Sequence, residues 1–152
     1  MLLCFDGSDG AAEAIAAAGA LFAPSRAVVL TVWEPFELWA PWDPATVVDA
    51  GIAKVTSEAR ELDDIAREAA TQTSERGAEL ARTAGFEAGT EVLGGKHWRT
   101  ICDAGQELDA RVIVLGARGL SPVKSMLLGS VSSSVIAHAD RPVLVVHASD
   151  AG

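Results

Sequence analysis

Four short runs that are apolar almost from end to end constrain this chain more than any other feature: Leu2–Phe5, Ala27–Trp33, Arg111–Leu115 and Pro142–His147. A strand with one wet face alternates apolar and polar residues. A strand that is apolar throughout is covered on both faces, as in a parallel sheet. Between these runs the spacing is helical. Ala14, Ile15, Ala18, Leu21 and Phe22 form one stripe. Leu62, Ile65, Ala66, Ala69, Ala70, Ala78, Leu80 and Ala81 form another within residues 55–84, where Gly77 is a weak point that need not break the helix. Phe86–Leu93 reads as a further strand, 97–108 as a third helix, and Gly129-Ser130 opens a fourth that runs to about Ala137. In the first turn, Ser8 or Asp9 is placed to cap the first helix. The order β-α-β-loop-α-β-α-β-loop-α-β predicts an α/β fold with an open parallel sheet and helices on both faces.

A chain of 152 residues suits one domain, taken as residues 1–152. With 49% apolar and 22% charged residues its composition is that of a folded protein. The net charge of −9, from 21 acidic and 12 basic residues, repels phosphodiester backbones, so polymeric nucleic acid is not the expected partner. A single nucleotide is not excluded, because a local cluster of N–H groups holds phosphate against an unfavourable global charge. No apolar run approaches the roughly 18 residues of a membrane span, and no signal peptide is visible. Cys4 and Cys102 stand among apolar neighbours without a CxxC pair, which predicts two buried, reduced thiols and a cytoplasmic location. Residues 34–53 hold Pro35, Trp39, Pro41, Trp42 and Pro44 with no clean period and read as an excursion loop with room for a turn of helix. Satellite packing is the default role for Trp33, Trp39 and Trp42, with a lid or a partner surface as alternatives.

The chemistry points to one place. Gly116 ends a buried strand, Gly119 follows, and nine residues later Gly129-Ser130 opens a helix. Open α/β sheets bind ligands at the carboxyl ends of their strands. Glycines let backbone approach a ligand closely, and the N–H groups of Ser130, Val131 and Ser132 lack partners inside the helix and favour an anion. Ser130 and Ser132 offer hydroxyls and Arg118 offers charge, so a phosphate chain is the expected guest. Lys124 lies in the same stretch, as a phosphate screen or a solvated side chain.

Gly116-x-x-Gly119-x9-Gly129-Ser130, then Val131-Ser132 and His138-Ala139-x-x-Pro142 with the apolar run after it, resembles the C-terminal signature of the universal stress protein family, in its ATP-binding branch. Asp6-Gly7-Ser8 after the first strand resembles that family's opening. The resemblance implies a Rossmann-like, adenine nucleotide alpha hydrolase-like sheet of five parallel strands in the order 3-2-1-4-5. It implies that Asp6 helps to hold adenosine and that backbone near Val32 faces adenine. Gly116, Arg118, Gly119, Gly129, Ser130, Val131 and Ser132 take the ribose-phosphate side. On residue chemistry alone, Asp6 is equally a turn or helix-cap aspartate. The resemblance also implies a homodimer through the Pro142–Val146 strand, whose edge would otherwise need covering. Ala117 and His97 depart from the family, which often has Ser or Thr at the first position and Pro at the second. The His97-Trp98 pair reads as a local variant without catalytic meaning.

Other chemistries lack their motifs. G-x-S-x-G, G-x-G-x-x-G after the first strand and G-x4-G-K-[ST] are absent, and His97, His138 and His147 are too scattered for a metal. His138, near a helix C-terminus, reads as structural. No general base stands out beside the loop, so no catalytic residue is assigned and hydrolysis is expected to be slow at most. The expected function is a dimeric, ATP-dependent regulatory switch for stress response, with Mg²⁺ accompanying ATP and a protein partner as reader. The alternatives are a nucleotide-free dimeric interaction module and a weak ATPase or adenylate-chemistry enzyme.

Overall fold

In the computed structural model, residues 1–36, 52–119 and 128–147 are described. Trp39, Pro41, Trp42, Pro44 and Lys124 lie outside the described residues, and so do the roles expected of them. The elements run β1 (Leu2–Cys4), α1 (Asp9–Phe22), β2 (Arg26–Trp33), α2 (Ile52–Thr83), β3 (Glu87–Gly94), α3 (His97–Glu107), β4 (Ile113–Gly116), α4 (Ser130–His138) and β5 (Val143–Val146). They form one parallel sheet of order β3-β2-β1-β4-β5. This is the order that the resemblance implies, and each element lies within about two residues of its expected bounds, the usual uncertainty of helix and strand ends, except α2, which starts three residues before its expected residue 55, inside the stretch expected as a loop.

β1 is central and fully buried, and its alternation sorts the core into two layers. Leu3 and Phe5 face α1 and α2, together with Ala14, Ile15, Ala18, Val29, Ala78, Ala81 and Val114. Leu2 and Cys4 face α3 and α4, with Leu30, Ile101, Ala104, Ile113, Leu115 and Val135. On α2 the residues Ala70, Ser74, Gly77, Ala78 and Ala81 make one buried stripe. Its small side chains let the helix sit close to the sheet. A Cβ on Gly77 would stand 2.7 Å from the Phe5 ring and 2.8 Å from a Val29 methyl. Gly77 is thus a packing requirement and not a weak point. Two buried hydroxyls are satisfied by main-chain carbonyls of the sheet: Ser74 Oγ donates to Val29 O, and Thr31 Oγ1 to Phe5 O.

β5 lies at one edge of the sheet, and all four of its residues are half-buried. Cys4 is buried, but Cys102 is only half-buried, which corrects the expectation of two core thiols. His138 has the structural part expected of it. Its Nδ1 lies 2.8 Å from Ser134 O, and its ring stands 4.5 Å from that of Trp98, tying α4 to α3.

Candidate functional site

The strand order reverses direction between β1 and β4, and there the carboxyl edge opens into a cleft. Two turns make its rim. The first follows β1. Gly7 takes φ +87°, and Asp6 Oδ1 accepts from Ser8 N at 3.0 Å and from Ser8 Oγ at 2.6 Å. Ser8 Oγ in turn accepts from Ala11 N, so Ser8 is the N-cap of α1. One oxygen of Asp6 therefore does the turn work. The other, Oδ2, stands over Gly119, where a Cβ would run into it. The turn-residue and ligand-facing readings of Asp6 are compatible, one per oxygen.

The second turn follows β4. A Cβ on Gly116 would lie 2.8 Å from the Gly10 carbonyl, so glycine is what allows the end of β4 to meet the first turn of α1. Ala117 N donates to Val146 O, and Gly129 N donates to Ala117 O at 2.7 Å, which brings the start of α4 back beside the strand it left. Gly129 is the N-cap and has no side chain to offer, so among the described residues no side chain caps the first N–H groups of α4, those of Ser130, Val131 and Ser132, at the cleft. Ser133 N is the first to bond within the helix, to Gly129 O. Ser132 is 4% exposed, and its hydroxyl donates to Gly116 O at 2.9 Å. It braces the loop and is not a free donor, which corrects one of the two expected hydroxyls. Ser130 is exposed, and Arg118 makes no ion pair among the described residues.

All nine residues singled out from the sequence border this one cleft, of about 290 Å³: Asp6, Val32, Gly116, Arg118, Gly119, Gly129, Ser130, Val131 and Ser132. Its size is at the low end for small-molecule clefts. Sequence reasoning missed part of its wall. Cys4, Leu30, Leu115 and Ile101 make an apolar side, and His97 stands among them. Strand parity was the available signal. Cys4, Leu30, Val32 and Leu115 share the face covered by α3 and α4. Burial pushes the Cys4 thiol far above the ordinary thiol range, with Cys102 and Asp6 adding to it, so Cys4 is an inert wall residue and not a nucleophile. His97 Nδ1 lies 2.8 Å from Glu34 Oε1, each side chain being about two-fifths exposed. Among the described residues, no helix is long and apolar enough to cross a membrane.

The family model described as the universal stress protein family matches residues 1–147. A universal stress protein of Thermus aquaticus is 34% identical over 152 aligned positions, covering 96% of each chain. Universal stress protein YxiE of Bacillus subtilis is 32% identical, covering 96% of this chain and 97% of its own. Shorter matches, to a universal stress protein of Mycolicibacterium smegmatis and to universal stress protein G of Salmonella typhimurium, take in 24% and 39% of those relatives' lengths. Among solved structures, the hypothetical protein MJ0577 superposes with a TM-score of 0.80 at 24% identity, covering 99% of this chain and 96% of its own. A universal stress protein in complex with cAMP gives 0.62 at 21%, covering 97% and 95%. One from Archaeoglobus fulgidus in complex with dAMP gives 0.59 at 18%, covering 95% and 94%. At these identities the structural likeness speaks for the fold.

Proposed function

The chain belongs to the universal stress protein family, and from that premise we propose that it is an ATP-binding regulatory protein. The observation that carries this reading is the start of α4, which no side chain caps among the described residues and which opens on a cleft whose opposite rim holds Asp6 Oδ2, the oxygen not used in the turn. Helix N-terminal amides suit phosphate, and the helix dipole adds to their attraction. The Gly119 and Gly129 backbones admit the chain of phosphates, and Arg118 supplies positive charge beside it. A carboxylate oxygen accepts hydrogen bonds only, so Asp6 Oδ2 suits a ribose hydroxyl. The apolar wall of Cys4, Leu30, Val32, Ile101 and Leu115 suits the faces of a base. Adenine nucleotides in two relatives of the same fold agree with this assignment. Mg²⁺ would ride on phosphate oxygens and water, as it commonly does.

In this reading ATP occupancy sets the conformation that a partner reads in the cytoplasm. Two copies pair through the β5 edge, which covers its backbone groups. Calorimetric titration of purified protein tests the central step. Micromolar to low-millimolar ATP affinity, lost in Gly119→Val with the circular dichroism spectrum intact, is the expected result. No binding at millimolar ATP sinks it. Sedimentation with and without ATP tests the dimer, and a monomer in both conditions removes that part.

A further inference from the structure

We propose that His97, locked by Glu34, makes the cleft selective for a 6-amino purine over a 6-oxo purine. This rests on the nucleotide reading above and specifies the base. The phosphate-facing part of the cleft is made of Gly116, Gly119, Gly129 and the start of α4. Among the described residues the other wall is apolar, with His97 as its polar exception. Ile101 follows His97 by four residues, so both sit on one face of α3. Glu34 follows β2 directly, two residues beyond Val32, which lines the same wall.

The hydrogen bond decides the chemistry of the ring. A carboxylate donates nothing, so the hydrogen between Glu34 Oε1 and His97 Nδ1 belongs to the imidazole. In the neutral ring this leaves Nε2 as a bare acceptor. In that neutral form a bare acceptor on the cleft wall attracts an exocyclic amine and repels an exocyclic carbonyl, whereas an imidazolium would donate from Nε2 and reverse the preference. Adenine carries the amine at that position and hypoxanthine the carbonyl, while their ring faces are nearly the same shape. Discrimination built on one such polar contact is large when the contact is dry and smaller when water reaches it. With His97 and Glu34 each about two-fifths exposed, the expected preference is roughly tenfold to a hundredfold.

The test compares ATP with ITP by calorimetry on wild type and three variants, each checked for wild-type circular dichroism. Wild type binds ATP at least about tenfold more tightly than ITP, a conservative end of that range. His97→Phe keeps the ring area and removes the acceptor, so ATP weakens and the ATP/ITP ratio falls toward one. His97→Gln retains an acceptor oxygen and recovers part of the ratio. Glu34→Gln can accept or donate, which releases the tautomer and narrows the ratio without removing the ring. A role confined to holding α3 in place weakens both nucleotides equally and leaves the ratio unchanged, which overturns the proposal. Equal binding of ATP and ITP by wild type overturns it as well while the nucleotide reading stands. Binding of neither nucleotide overturns both.

Discussion

Replacing Gly77 by alanine sets two known effects against each other at one position. Alanine in a helix interior is favoured over glycine by about 1 kcal/mol. Against this, the new Cβ would lie 2.7 Å and 2.9 Å from two atoms of the Phe5 ring and 2.8 Å from Val29 Cγ1. Neither neighbour is a flexible chain end, because Phe5 is 3% exposed and Val29 is fully buried. Overpacking a filled core costs about 1–3 kcal/mol, so the net expectation is a loss of about 1 kcal/mol. In urea this lowers the unfolding midpoint by roughly 0.3–1 M with an unchanged slope. Gly89→Ala on β3 is the control. Its Cβ would meet nothing within 4 Å, so the same substitution gains roughly 0.4–1 kcal/mol, mainly by restricting the unfolded chain. Phe5 precedes Asp6, so Gly77→Ala also disturbs the cleft rim and weakens ATP, whereas Gly89→Ala leaves ATP binding alone. A Gly77→Ala midpoint at or above wild type would refute the claim that the close approach of α2 to β1 and β2 sets this residue.

Three further outcomes are expected. Ser132→Ala leaves the Gly116 carbonyl without its hydroxyl donor, costs about 1–3 kcal/mol in chemical denaturation, and weakens ATP because the loop loses its brace. Ser8→Ala removes the N-cap of α1 and one of the two donors to Asp6 Oδ1, at a cost of about 1 kcal/mol, whereas Ser8→Thr keeps the hydroxyl and most of the stability. Burial raises the Cys4 thiol, and burial with Asp103 and Asp140 raises Cys102. Their folded values lie above the unfolded one, so their stabilisation is complete below about pH 8.5 and declines as pH rises above it. The urea midpoint therefore falls between pH 8 and pH 10, roughly the span above the free-thiol value. Cys4→Ala flattens that fall; the chain has no tyrosine to mask it. An unchanged slope in Cys4→Ala would remove the thiol explanation.

The sheet was legible because its three inner strands are covered on both faces and its β5 edge strand is apolar as well, so four apolar runs and the turns after them marked its position directly. The glycines of the cleft were legible for a related reason. Gly116 and Gly119 each stand where a Cβ would strike backbone or Asp6, and such positions leave their mark in residue type. Groups whose role depends on direction left no such mark. The sequence shows that Ser132 has a hydroxyl, but not that it turns back to Gly116. It shows Asp6 after a strand, but not that its two oxygens divide between the turn and the cleft. His97 is the sharpest case, since Glu34 lies 63 residues away and nothing local links the two. Yet the strand order held the clue. Trp33 pairs with Gly94 at the carboxyl ends of β2 and β3, so the residues just beyond those two ends must meet. Glu34 is one residue past its strand and His97 three past its own. Neighbouring parallel strands that end in register bring distant polar residues together at the edge where an α/β sheet takes its ligand. In such folds, the first few residues after each strand should be read across the sheet as a row, and not one at a time along the chain.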